Sequence, residues 1–191
     1  MTVHLLAISG SARRDSYNRK LLAAMVEGAR AAGASVEVLD WSVHPLPIMD
    51  EDLEAAGIPE AAPRLKAAFR AADGYLIATP ENNGGYPALL KNALDWASRG
   101  LGDPPGAGSV YKNKTAVVAG ATPGRWGAVR SIRQLREVLG YLGCIVLPDT
   151  VSVNDAGKAF DAEGGLIDAK TRVLAQGLGA ALARATQALK Q

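Results

Sequence analysis

The sequence predicts an α/β domain: a five-stranded parallel sheet, doubly wound, with helices on both faces. Three observations carry the prediction. Short apolar runs alternate with longer segments of helical spacing along the chain. The runs are continuously apolar rather than alternating, as strands buried on both faces are. The 191 residues, 48% hydrophobic and 21% charged, suit a single domain over residues 1–191 with a full core.

Residues 3–9 are the first apolar run, ending at Gly10, and residues 17–32 carry helical spacing through Leu21, Leu22, Met25, Val26 and Ala29. Strand two is residues 35–39. A loop over 41–60, holding Pro45, Pro47 and Pro59, leads to a helix over 61–72. Strand three is 74–78 and the next helix 86–98, with Pro87 at its opening, where a missing N–H costs nothing. A loop rich in Gly and Pro spans 99–113, followed by strand four at 115–119, a helix over 128–142 and strand five at 144–147. After an irregular stretch, residues 168–190 are Ala- and Leu-rich and read as a closing helix. The loops 41–60 and 99–113 exceed the usual connection length and read as lids or interface elements.

Composition excludes several classes of function. A formal charge of +2 argues against a polyanion-binding surface, so nucleic acid is not an expected partner. Cys144 is the only cysteine and sits in an apolar stretch, as a small core residue would. His4 and His44 are the only histidines, poor material for a metal site or a Ser-His-Asp set. No apolar stretch approaches the roughly 20 residues of a membrane span, so no membrane partner is expected. A strand begins by residue 3, leaving no room for a signal peptide, and the cytoplasm is the expected compartment.

Three loops, after strands one, three and four, carry more special residues than turns need. In a parallel sheet of order 2-1-3-4-5 they converge on one edge, where ligands of open α/β sheets bind. The first places Ser11, Ser16 and Asn18 beside Arg13 ahead of a helix N-terminus, a cradle for a phosphate group. It lacks the lysine of nucleotide hydrolases and the second glycine of dinucleotide folds, which points to a terminal monophosphate. The plainer alternative is a Ser16 helix cap with a solvated Arg13. The second loop holds Thr79, Pro80, Glu81, Asn82, Asn83, Gly84 and Gly85. Pro80 offers a rigid apolar edge, and the peptide groups of Glu81, Asn82 and Asn83 suit the heteroatoms of a flat ring. The Glu81 side chain reads equally as a surface carboxylate. The third loop sets Thr122, Gly124 and Gly127 before another helix, where amides favour negative charge on a ligand. Trp126 reads as packing on that helix in preference to covering a ligand.

Together these motifs resemble the NADPH-dependent FMN reductase family of flavodoxin-like proteins, with its quinone, azo-dye and chromate reductases. The family pattern Gly-Ser-x-Arg-x-x-Ser-x-Asn is similar to Gly10, Ser11, Arg13, Ser16 and Asn18. A second pattern, Thr-Pro-Glu-Tyr-Asn leading to Leu-Lys-Asn-Ala-Ile-Asp-Trp, matches most positions from Thr79 to Trp96. A third is echoed by Ala121, Thr122, Pro123, Gly124, Gly127 and Arg130, and the stretch from Ala159 to Gly164 is also similar. Asn82 stands where the family carries tyrosine, and Arg125 and Trp126 where it carries glycine.

The resemblance implies a flavodoxin-like fold and bound FMN. Ser11, Arg13, Ser16 and Asn18 would hold the phosphate. Pro80, Glu81, Asn82, Asn83 and Gly84 would line the isoalloxazine, with Thr122 and Gly124 on its other polar edge. NADPH or NADH would be the co-substrate; Arg125, read from its charge alone, suits attraction of the NADPH phosphates and a solvated position equally. A quinone, azo compound, free flavin or metal oxyanion would be the acceptor, with no catalytic side chain required. The alternative is an electron carrier or redox sensor for a protein partner, but such carriers are usually acidic and this chain is not. A homodimer, or a dimer of dimers, is expected through the helix at 86–98, to which Leu89, Leu90, Leu94 and Trp96 lend surplus apolar surface.

Overall fold

The computed structural model describes residues 2–101, 103–104 and 106–190. Its elements run β1 (His4–Ser9), α1 (Tyr17–Ala31), β2 (Ser35–Val38), α2 (Glu51–Ala56), α3 (Ala61–Ala71), β3 (Gly74–Thr79), α4 (Ala88–Ser98), β4 (Thr115–Ala121), α5 (Val129–Tyr141), β5 (Ile145–Val146), β6 (Ser152–Val153) and α6 (Ala169–Leu189). All described pairings between these strands are parallel, in the order β2-β1-β3-β4-β5. The expected order is therefore the observed one.

The apolar runs serve two cores. On β1, Leu5 and Ala7 face α1 and α6, while Leu6 and Ile8 face α3, α4 and α5. Both sets are buried, so alternation disappears from the sequence. Helices α1 and α6 approach to backbone contact at two glycines. A Cβ on Gly28 would lie 1.8 Å from the Gln176 carbonyl oxygen, and one on Gly179 would lie 1.9 Å from that of Met25.

The far edge departs from expectation. The fifth strand is only Ile145–Val146, and a sixth, β6, continues along the same side of β4. Strand β4 pairs with β5 through Thr115 and Ala116, and with β6 through Gly120 and Ala121. Pro148 lies in the break between them and has no N–H to donate. The Thr150 hydroxyl crosses the gap to donate to the Val118 carbonyl.

Both long loops are tied down. Residues 41–60 contain a 3-10 turn at Trp41–Val43 and α2, capped by Asp50. Asn92 of α4 donates to Pro47 O at 2.8 Å and accepts from the Met49 amide at 2.8 Å, and the Trp96 indole donates to Pro47 O at 2.9 Å. In the loop 99–113, Gly102 and Pro105 lie outside the described residues. Elsewhere in it, Lys66 of α3 pairs with Asp103 and donates to the Arg99 carbonyl, while Arg70 donates to Ala107 O at 2.9 Å. Leu90, Leu94 and Trp96 are buried within this chain. Of the surplus apolar surface expected of that helix, these three residues are spent internally, on the sheet and on the strap from Pro47, while Leu89 is half-buried.

Candidate functional site

Beyond the carboxyl ends of β1, β3 and β4 lies a cleft of about 670 Å³, inside the range of roughly 300–1,000 Å³ usual for small-molecule sites. Of the residues expected from sequence, Ser11, Arg13, Ser16, Asn18, Pro80, Glu81, Asn82 and Thr122 line it. Asn83, Gly84 and Gly124 are not among its lining residues.

The first loop leaves β1 at Gly10, whose amide donates to Ala78 O at 2.7 Å and extends the ladder to β3. A Cβ there would meet Leu90 Cδ1 at 2.8 Å and Pro80 Cδ at 2.9 Å, so the bare backbone lets the loop close between the buried Leu90 and the cleft residue Pro80. The Trp41 indole donates to Ser9 O at 2.6 Å and fixes the strand end. Ser16 caps α1, accepting from the Asn18 amide at 3.2 Å. Among the described residues, the amides of Ala12, Arg14, Asp15, Ser16 and Tyr17 take no protein acceptor. They gather at a helix N-terminus, where an anion is favoured. The Arg13 guanidinium has no carboxylate partner among the described residues.

Asn18, expected to help hold the phosphate, lines the cleft and is also engaged by the chain itself. It is 3% exposed, its amide nitrogen donates to Ala121 O at 2.9 Å, and its oxygen accepts from the Ala121 amide at 2.8 Å. That two-point contact ties the end of β4 to the start of α1 and holds two of the three loops in register. Asn18 both lines the cleft and braces the cradle through β4.

The second loop is held by the start of α5. The hydroxyls of Thr79 and Ser131 lie 2.8 Å apart, and Ser131 donates to Pro80 O at 2.8 Å. The Glu81 carboxylate accepts from Arg130 Nε at 2.6 Å, the Arg130 amide at 3.0 Å and the Ser131 amide at 3.4 Å. It caps a helix whose own N-cap, Ala128, has no side chain to do so. Burial alone would push this carboxyl's pKa up; the Arg130 guanidinium and the two amides outweigh it and hold the pKa below the ordinary value. The Glu81 side chain is thus not a free surface carboxylate: its oxygens are engaged by the start of α5.

Asn82 and Gly85 exchange both backbone hydrogen bonds, at 2.9 and 3.0 Å, across a two-residue turn. Asn83 (φ 51°) and Gly84 (φ 81°) both stand in the left-handed region that such a turn requires. The Asn82 peptide groups are therefore consumed internally, against the expectation that they face a ring. The Glu81 amide has no acceptor among the described residues and lies at the cleft.

In the third loop the peptide of Thr122 is also committed: its amide donates to Val153 O at 3.0 Å and its carbonyl accepts from Ala156 at 3.1 Å. Its hydroxyl accepts from the Gly124 amide at 3.5 Å. Trp126 is 71% exposed and packs on nothing substantial, contrary to the packing expected of it.

Sequence reasoning missed Tyr17, Pro87, Ala88 and Leu89 as cleft residues. Pro87–Leu89 enter because they are the cap and first turn of α4, which starts only at Ala88 and meets the cleft with its N-terminal end. Tyr17 was visible only as the first residue after a cap. The remaining reactive groups lie outside the cleft: burial pushes the Cys144 thiol up to about 12, and His4 sits on the β1–β2 side against Ser35 and Glu37. Among the described residues no group of His, Cys, Asp and Glu is placed to hold a metal, and no helix is long and apolar enough to cross a membrane.

The model of a family described as NADPH-dependent FMN reductase matches residues 3–158. An NAD(P)H-dependent FMN reductase from Pseudomonas aeruginosa is 39% identical over 175 residues, 91% of this chain and 90% of that protein. An NADPH:quinone oxidoreductase from Arabidopsis thaliana is 35% identical over 176 residues, covering 89% and 85%. Among solved structures, a flavoenzyme NAD(P)H:(acceptor) oxidoreductase from Paracoccus denitrificans superposes with a TM-score of 0.78 at 30% identity, covering 98% of both chains.

Proposed function

The chain belongs to the NADPH-dependent FMN reductase family, and from that premise we propose that it is an FMN-dependent NAD(P)H oxidoreductase serving a small acceptor. A quinone stands ahead of an azo compound, free flavin or metal oxyanion, because quinone reductases recur among its relatives. One observation carries the reading: a cleft whose one end is a cradle of unpaired amides beside Arg13, and whose other end is walled by Pro80, Pro87 and Leu89.

The residues present fit FMN. The open amides from Ala12 to Tyr17, the Ser11 and Ser16 hydroxyls and Arg13 would take the phosphate. Pro80 and Leu89 would bracket the flat ring with apolar contact, where Asn82 offers no aromatic wall. The Glu81 amide would meet a ring heteroatom. Bound flavin supplies two-electron transfer between the nicotinamide and the acceptor. The protein's part is to hold the phosphate end, keep the ring face open to small molecules, and fix the loop 79–85 rigidly through α5. Asn18 and Glu81 act as positioning residues, and Asn83, Gly84 and Gly124 serve backbone shape.

A homodimer accompanies this reading. Its supporting surface is α5 and its approach, where Trp126, Val129 and Tyr141 are exposed, more than the buried apolar face of α4. The cytoplasm, where NAD(P)H is supplied, is the compartment that suits it. The experiment is to mix the purified protein with FMN, remove free flavin, and follow NAD(P)H oxidation with a quinone. Yellow protein with quinone-dependent turnover supports the proposal. Failure to retain FMN refutes it. Retained FMN with no turnover on any small acceptor favours the electron-carrier alternative.

A further inference from the structure

Phe160 is remote in sequence from the phosphate end of the cleft and next to it in space. It stands on a small closed loop over residues 159–167. Phe160 bridges Leu166, the Asp161 amide donates to Gly165 O at 2.9 Å, and the Ile167 amide donates to Ala159 O at 3.0 Å. The Asp161 carboxylate accepts from the Gly165 amide at 2.7 Å, and Leu166 is buried in the core shared by α1 and α6. The platform is therefore anchored from both sides.

From it the Phe160 ring lies parallel to the Tyr17 ring, with centroids 6.0 Å apart and 9° between planes. The Arg13 guanidinium carbon in turn sits 5.0 Å from the Tyr17 ring centroid. Lys20, one turn further along α1, places its ammonium 5.9 Å from the Phe160 ring. Tyr17 and Arg13 line the cleft and Phe160 does not.

We propose that Phe160 is a positioning residue for the phosphate end: it fixes the Tyr17 ring on which Arg13 rests, and so aims the Arg13 donors at a phosphate monoester. The inference depends on the flavin reading above. An exposed arginine without a carboxylate partner samples many rotamers, and each must be surrendered on binding. Stacking on an aromatic face removes most of that freedom beforehand. Tyr17 alone at a helix start is a poor support, because its own ring turns about χ1. A second ring stacked on it, held by a loop anchored in the core, removes that motion.

The test compares FMN with riboflavin, which lacks the phosphate, by quenching of flavin fluorescence on titration with apoprotein. Phe160→Ala should weaken FMN binding about three- to fivefold, as expected for losing one stacking support, and change riboflavin binding less than about twofold. Phe160→Tyr should restore wild-type discrimination. If Phe160→Ala does not fold, Phe160→Leu keeps the apolar bulk without the ring and should show the same FMN-specific loss. Equal weakening of both flavins, or no weakening of either, overturns the inference while leaving the flavin reading intact. Wild-type protein that binds neither flavin overturns the reading itself.

Discussion

Replacing Glu81 with alanine should lower stability by about 2–3 kcal/mol. The Glu81 side chain is 5% exposed and takes three directional hydrogen bonds, two from the amides that open α5 and one from Arg130 Nε. Losing a helix cap costs about 1 kcal/mol, and losing a negative charge at a helix N-terminus adds about 0.5 kcal/mol. The Arg130 side chain is 60% exposed and is rehydrated when its partner goes, so the ion pair itself contributes only about 1 kcal/mol. For a chain of this length the midpoint of thermal unfolding should drop by about 5–10 °C.

Glu81→Gln keeps the shape and loses the charge, and should cost about 1–1.5 kcal/mol near neutral pH. Because the folded carboxyl titrates below its ordinary value, its stabilisation is fully present above the unfolded pKa of about 4.3. It is lost as pH falls through the folded value. The gap between wild type and Glu81→Gln should therefore close under acid, where both side chains are neutral. Urea unfolding followed by tryptophan fluorescence across that range measures the gap. A gap independent of pH, or a midpoint for Glu81→Ala within about 1 °C of wild type, would refute the assignment of Glu81 as the remote cap of α5.

Asn18→Ala removes both bonds to the Ala121 peptide at a buried site and should cost about 2–4 kcal/mol in urea unfolding; a loss below about 1 kcal/mol would mean water replaces the amide. Gly10→Ala brings a methyl group to 2.8 Å from Leu90 Cδ1 and 2.9 Å from Pro80 Cδ. It should cost about 1–3 kcal/mol and weaken FMN binding about tenfold, and unchanged flavin affinity would remove Gly10 from the shaping of the cleft. Cys144, its thiol pushed up to about 12 by burial, should resist a maleimide at about pH 8 in the native protein and react once unfolded. Equal labelling rates in both states would contradict its burial.

The sequence on its own determined the sheet. Leu5 through Ile8, Tyr75 through Ala78 and Ala116 through Ala119 are apolar at every position, and only a strand covered on both faces buries all of them. It also brought the three ligand loops together, because parallel order 2-1-3-4-5 places those strand ends side by side. Special backbone was legible too: Asn83-Gly84 is the pair that a tight turn with two positive φ values selects.

Which way each polar side chain faces was decided only by the tertiary structure. Asn18 and Glu81 sit in the expected motifs and line the cleft, yet each spends side-chain hydrogen bonds on a backbone group, Ala121 in one case and the start of α5 in the other. Leu90, Leu94 and Trp96 looked like a surplus face until Pro47 and the sheet covered them, while Trp126 was left in water. The split has one physical cause. Apolar periodicity is a local property that burial imposes along a segment. The partner of a polar group is whichever unpaired donor or acceptor the fold brings within about 3 Å, and that group can lie a hundred residues away.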